Sequence, residues 1–372
     1  MRTVDAVGLP IGDGHPPRIM GVLNVSSESP YDPSVFDDPG EAAAYVDREL
    51  IDEGADIVDV GLESANKRFE VLSAQGELDR LDTACEAIES VSGDAVFSIE
   101  TRYHEVADEA LSRGFDMVND ICGFADPEMP SVCAEHDAAV AKMASPPDLE
   151  RPGAIDNVDE IYEALSQNGF TEKTIVDPAF GGWSEGKTLA DDRETLERLR
   201  EFRALGRPIL VSINRKNFLR TLAGRTTEEA LAVSLAATSM AVERGAHVVR
   251  THDVRETADA ATIGHAFTPT RLRTDRVEEL DVRTDGDLHR HLEAVGSERE
   301  ADLPRVFTLA LSPEERRALL GAVRGIEGVS LTDTDPAVLI AGSRGIGRLT
   351  DTLGSDPGAL APILEDISDG LY

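Results

Sequence analysis

The chain has 372 residues, 41% of them hydrophobic and 29% charged, which suits a folded protein with a sizeable core and excludes a disordered one. Its 71 acidic residues outnumber 36 basic ones, and the resulting charge of −35 repels nucleic-acid phosphates and anionic lipid, so neither is expected as a partner. No run approaches the roughly 18 apolar residues of a membrane span, and the opening stretch has no secretory-signal pattern, so a cytoplasmic protein is expected.

Eight short apolar runs recur through the first 270 residues: Ile19–Asn24, Ile57–Gly61, Ala95–Glu100, Met117–Asn119, Ala138–Lys142, Thr174–Asp177, Pro208–Ser212 and His247–Arg250. Helical stretches separate them, with a period of about 3.6 residues in Glu41–Glu53, Leu189–Leu205 and Thr227–Arg244. Three of the runs follow a shared pattern: Gly54-Ala55-Asp56, Gly114-Phe115-Asp116 and Gly245-Ala246-His247. Each glycine fits a left-handed helix stop that feeds a buried parallel strand. Strand alternating with helix implies a parallel sheet with right-handed crossovers. Eight repeats in about 250 residues match a (β/α)8 TIM barrel, expected over residues 1–270. A doubly wound sheet fits less well, because no glycine fingerprint follows the first run.

Residues 271–372 are expected to form a linker and a small α+β domain of unassigned role. Thr268 to Asp287 is rich in Arg, Thr and Asp and reads as linker. Arg305–Leu311 and Ala337–Ala341 read as strands, Pro313–Val323 as a helix capped by Ser312, and Gly347–Leu353 and Ala359–Ile367 as helical. The run Leu339-Ile340-Ala341-Gly342-Ser343-Arg344-Gly345-Ile346-Gly347 looks like a nucleotide loop. Only 25 residues follow it, too few for such a domain, so a tight packing turn is expected.

Only five of the basic residues are lysines, and acids spread along the whole chain fit a salt-rich cytoplasm, where screening removes most self-repulsion. Cys85, Cys122 and Cys133 are too few and wrongly spaced for disulfides or a zinc site, and read as small buried hydrophobes.

A barrel of this kind carries its active site at the carboxyl ends of its strands. Those tips hold Asn24, Glu63, Glu100, Asn119, Lys142, Asp177, Ser212 with Lys216 just beyond, and Arg250 with His252. Acids and amides there can bind a heterocycle, while Lys216, Arg250 and His252 form a cationic group in an otherwise acidic chain. Lys142, Asp59 and Glu63 read as structural or supporting residues.

Several runs resemble the motifs of dihydropteroate synthase. Ile19-Met20-Gly21-Val22-Leu23-Asn24-Val25-Ser26 is similar to its first-strand motif, and Gly54 to Gly61 with Glu63-Ser64 to its second. Asn119-Asp120, Asp177-Pro178-Ala179-Phe180-Gly181, Arg215-Lys216-Asn217-Phe218 and Arg250-Thr251-His252-Asp253-Val254 are similar to its later motifs. The resemblance covers the barrel alone and suggests a haloarchaeal-type variant with a C-terminal extension. It implies a transferase of folate synthesis, condensing 6-hydroxymethyl-7,8-dihydropterin diphosphate with 4-aminobenzoate or a related aryl amine and releasing pyrophosphate.

The same resemblance implies that Glu100, Asn119, Asp177 and Lys216 bind the pterin. Asn24, Arg250 and His252 would hold the diphosphate, and Asn24 would ligate Mg2+. Lys216, Asp177, Arg250 and His252 would be the catalytic set, in a homodimer. Glu100 stands where the family carries aspartate. The first loop departs from the family at Ser27 and Pro30, and the second at Ala65 and Asn66, which lack the family's hydroxyl and guanidinium. Lys67 or Arg68 would restore a charge there, and Trp183 would edge the pocket. Two other readings are a pterin-dependent methyltransferase, which needs no diphosphate clamp, and a pterin-binding paralogue that does not condense.

Overall fold

A computed structural model describes residues 1–25, 34–63, 71–149, 155–181, 187–274, 276–298, 301–353 and 360–369. An antiparallel hairpin, β1 (Val4–Ala6) and β2 (Leu9–Ile11), opens the chain. Eight parallel strands then close a barrel: β3 (Arg18–Asn24), β4 (Ile57–Gly61), β5 (Val96–Thr101), β6 (Met117–Asp120), β7 (Ala139–Met143), β8 (Thr174–Asp177), β9 (Ile209–Val211) and β10 (Ala246–Thr251). The expected TIM barrel is therefore present, with β10 pairing back to β3.

Helices α1 (Pro39–Tyr45), α2 (Ala74–Ser90), α3 (His104–Ser112), α4 (Met129–Glu135), α5 (Val158–Ser166), α6 (Leu189–Glu197), α7 (Asn217–Ala223), α8 (Leu231–Glu243) and α9 (Val254–Ala266) lie between strands. The helix expected over Glu41–Glu53 is α1 followed by a π-helical turn, Val46–Ile51. The stretch Leu189–Leu205 divides at Arg198 into α6 and a 3-10 segment, Leu199–Leu205. Arg198 there bonds Glu194, Glu201 and Asp159.

The three repeated glycines take φ of +106, +105 and +105°, the left-handed stop their pattern requires. The residue two places after each has a shared task. Asp56 Oδ2 accepts the Ile19 amide at 2.9 Å, Asp116 Oδ2 accepts the Phe97 amide at 2.9 Å, and His247 Nδ1 accepts the Ile209 amide at 3.0 Å. Each side chain thus caps a backbone donor at the foot of the adjacent strand. Inside the barrel, Met20, Ile57, Val96, Met117, Ile175, Leu210 and Val248 form one apolar layer with Val4, Ala6 and Ile11 of the hairpin. The hairpin stoppers the amino end.

The first compact unit runs to Glu279 rather than residue 270, because the returning segment is tied to the chain's start. Arg273 donates to Asp13 O at 3.0 Å and Met1 O at 2.9 Å. The second unit, Leu280–Tyr372, is α+β: α10 (Asp285–Ala294), β11 (Arg305–Leu309), α11 (Pro313–Ala322), β12 (Val329–Leu331), β13 (Ala337–Ala341), α12 (Ser343–Leu353) and α13 (Ala361–Asp369). Its antiparallel sheet has the order β11-β13-β12. The first residues of α10 fall inside the expected linker; a Thr284–Asp287 capping box starts that helix. The glycine run that opens α12 is packing. A Cβ at Gly345 would meet Val329 Cγ2 at 2.8 Å, and Asp302 Oδ2 already takes the Arg344 amide at 2.8 Å.

Candidate active site

Strand residues alternate between the barrel's interior and its helical shell. Above the apolar layer, the inward positions continue as Asp59 on β4, Ser98 and Glu100 on β5, Asn119 on β6, Asp177 on β8 and Arg250 on β10. Glu100 lies level with Gly61 on one side and Asn119 on the other. Glu100, Asn119, Asp177, Lys216 and Arg250 line one cavity of about 30 Å3 at this end, walled by Ile121, Met143 and Phe180. Residues separated by 150 positions of chain thus converge on one pit.

Asp59 is the hub beneath it. Fully buried, it accepts Ser98 Oγ at 2.7 Å, Asn119 Nδ2 at 3.0 Å and Arg250 Nε at 2.7 Å. Because a carboxylate only accepts, the Asn119 amide must turn its nitrogen to Asp59, leaving its oxygen as the remaining acceptor. Arg250 also donates through Nη2 to Glu100 Oε2 at 2.7 Å. Burial pushes the Glu100 carboxyl above its ordinary range, an effect Arg250 opposes. For Arg250 the two carboxylates outweigh burial and raise it, so its charge is permanent.

Lys216 and Asp177 complete the pit. Burial, reinforced by Arg250, brings Lys216 down to about 8. Burial lifts Asp177 to about 6, against the amide of Ala179, which donates to its Oδ1 at 2.8 Å. Gly181, at φ +104°, lets the backbone pass the lysine: a Cβ there would lie 3.1 Å from both Lys216 Cδ and Nζ. Behind that turn, Lys187 donates to Ala179 O at 2.7 Å and pairs with Asp192 at 3.2 Å.

His252 follows β10, but its charge differs from expectation. Burial and the neighbouring Arg250 hold it down to about 3, so at neutral pH it is an imidazole and not a cation. Asp253 beside it takes Arg215 through Nε and Nη2, both at 2.8 Å, and Asn214 Nδ2 at 2.8 Å. That fork fastens the segment carrying Lys216 to the end of β10. Asn24 donates from Nδ2 to Ser34 Oγ at 2.9 Å, and its Oδ1 sits over Gly61, where a Cβ would approach to 2.9 Å.

The family model for pterin binding enzymes matches residues 20–252, a span holding every polar side chain of the pit. The chain belongs to the dihydropteroate synthase family of pterin-binding enzymes. It is 32% identical over 255 residues to dihydropteroate synthase of Bacillus subtilis, covering 67% of this chain and 88% of that protein. It is 35% identical over 266 residues to a probable bifunctional folylpolyglutamate synthase/dihydropteroate synthase of Halobacterium salinarum, covering 68% of this chain. It spans 32% of that longer relative. The solved dihydropteroate synthase of Xanthomonas albilineans with 4-aminobenzoic acid has a TM-score of 0.61 at 30% identity, over 72% of this chain and 98% of that one. That of Coxiella burnetii, in complex with pteroic acid, has a TM-score of 0.60 at 29% identity, over 71% and 98%.

Lys142 and Glu63, read from sequence as structural or supporting, stand apart from the pit. Lys142 points outward and donates to the carbonyls of Leu165 at 3.0 Å, Gly169 at 3.0 Å and Gln167, capping the carboxyl end of α5. Glu63 pairs with Arg102 at 2.8 Å and accepts the Leu72 amide at 3.0 Å. Asp59, read from sequence as supporting, takes that place: it holds Asn119 and Arg250 from beneath the pit, and its position two residues after the inward Ile57 turns it inward. The apolar walls Ile121, Met143 and Phe180 carry no such signal. Ser27, Pro30, Ala65, Asn66, Lys67, Arg68 and Trp183 lie outside the described residues.

Proposed function

We propose that this chain condenses 6-hydroxymethyl-7,8-dihydropterin diphosphate with 4-aminobenzoate or a related aryl amine. The observation that carries this reading is the single pit shared by Glu100, Asn119, Asp177, Lys216 and Arg250. The aryl amine nitrogen attacks the methylene carbon, the C–O bond breaks, pyrophosphate leaves and the amine loses one proton.

Asp177 accepts the paired N–H groups of the pterin's amidine edge, and the Asn119 oxygen takes another donor of the ring. Lys216 donates to a ring nitrogen or oxygen. Glu100 keeps the family's charge at this edge with one methylene more reach. Arg250 uses two of its five N–H donors on Asp59 and Glu100, leaving three for the diphosphate, where negative charge grows as the C–O bond opens. His252, neutral, contributes an N–H donor to the same oxygens. The catalytic set is then electrostatic, with Lys216, Asp177, Arg250 and His252 organised before substrate arrives.

The residues fit Mg2+. Asn24 Oδ1 is a hard oxygen donor at the rim, with its amide nitrogen already committed to Ser34. Mg2+ accepts one such protein oxygen when substrate phosphates and water fill the rest of its shell. Bound there, the ion would neutralise charge on the departing pyrophosphate.

We also propose a homodimer working in a salt-rich cytoplasm. Met240 on α8 and Ile263 and Phe267 at α9 are 45, 55 and 75% exposed, an apolar face on neighbouring helices that a second copy would cover. The charge of −35 and the haloarchaeal relative support the salt. The test is pyrophosphate release in concentrated KCl with the dihydropterin diphosphate, 4-aminobenzoate and Mg2+. Release matched by dihydropteroate supports condensation. Tight pterin binding without release assigns the chain to the non-condensing paralogues.

A further inference from the structure

A second, larger cavity of about 470 Å3 lies at the amino end of the barrel, away from the pit. It sits within the first compact unit, between the Gly12–Pro17 turn, the start of β10, the end of α9 and the returning segment 268–273. Three arginines face it, Arg203, Arg271 and Arg273, with imidazoles from His15, His247 and His265. Such a concentration of nitrogen donors is out of character for a chain of charge −35.

The acids of the wall are already engaged. Asp13 accepts Arg203 Nη2 at 2.7 Å, lies 3.6 Å from Arg271 Nη2 and accepts His247 Nε2 at 3.1 Å. The His247 tautomer follows from its other nitrogen, which accepts the Ile209 amide. Glu278 is held by the Met1 ammonium at 2.6 Å, and Glu279 takes the Leu272 amide at 2.8 Å. Arg273 is the distinctive member. Its two bonds go to carbonyl oxygens, Asp13 O and Met1 O, which fix the guanidinium without neutralising it and leave three of its five donors.

We propose that this cavity binds an organic phosphate. A preset guanidinium matches phosphate oxygens in pairs. The volume exceeds what a lone phosphate fills, and Pro17, Val242, Ala266 and Leu272 give it apolar wall for an organic body. Nothing in the condensation uses these residues, so the site stands independently of that reaction.

The test is calorimetric titration of the full chain with ADP and with inorganic phosphate at fixed ionic strength. ADP binds the wild type at one site; Arg273→Gln weakens it at least tenfold, and Arg273→Lys, keeping charge without the fork, weakens it less. Pyrophosphate release stays at the wild-type rate in both variants. Phosphate sharing that Arg273 dependence supports the site, and the tighter of the two probes identifies the source. Binding indifferent to Arg273→Gln, or no ADP binding by the wild type, overturns the proposal. Melting curves without ligand keep a folding defect distinct from a binding one.

Discussion

The Arg250 guanidinium reaches from β10 to Glu100 on β5 and closes on Oε2 at 2.7 Å, while its Nε holds the buried Asp59. One cation thus bridges two carboxylates, Asp59 beneath the pit and Glu100 in its wall. Breaking a buried pair by deleting one partner leaves the other charge uncompensated, at a cost of about 3–5 kcal/mol. Arg250→Ala is therefore expected to lose about that much stability in urea denaturation and to abolish pyrophosphate release. A wild-type urea midpoint would show that the network does not form in solution.

The pH dependence of pterin binding follows from two neighbours. Binding uses ionised Asp177, at about 6, and charged Lys216, at about 8. Affinity should be greatest between these values, declining as Asp177 protonates below and as Lys216 deprotonates above. Titration calorimetry across pH 5–9 measures it, those limits being set about one unit outside the two values. A flat profile would dismiss the pair as the reading groups.

Stability carries the opposite sign at Asp177. Its folded value is raised above 3.8, so the folded state binds the proton more tightly and loses stability as pH rises through about 6. Asp177→Asn removes that ionisation. At pH values above 6 it should melt higher than wild type while failing to bind pterin. A lower melting temperature with retained binding contradicts both halves of the assignment.

Lys142 offers the contrasting case. Its ammonium bonds three carbonyls at the end of α5, and charged hydrogen bonds are each worth about 1.5–3 kcal/mol. Lys142→Ala should lower stability by about 2–4 kcal/mol, with KM for the pterin substrate unchanged. A raised KM at full stability would return Lys142 to the binding site.

Gly181→Ala tests the close passage beside Lys216. The φ of +104° strains any side chain, at about 1–3 kcal/mol, and the new Cβ displaces the ammonium. Pterin affinity should drop with kcat less affected. Unaltered affinity would mean the lysine is not set by that turn.

Much of the barrel was legible because burial on both faces demands β-branched runs, and left-handed helix stops demand glycine, as at Gly54, Gly114 and Gly245. The short β12 and the helix α10 were not, since three residues of strand and a capped polar helix carry little apolar period. At the site, Asn119, Asp177, Lys216 and Arg250 were marked by their motifs and Asp59 by its supporting place, whereas the charge of His252 was misjudged. Arg250 stands two residues away in the chain, but the burial that chiefly holds the imidazole neutral is a property of the fold, which a list of residues does not contain.

Which residue types stand at each strand end is already written in the chain, because the alternation of strand, helix and polar tip is local. Only closure of the sheet decided their company. Joining β10 to β3 brings Arg250 over Asp59, and the parity of each strand turns Asp59 inward and Lys142 outward. The same closure collects Asp13, Arg203, His247 and Arg273 at the far end, 260 positions apart. Electrostatic interaction falls with distance in space and is strengthened by burial, so charges find their partners only when the chain is folded.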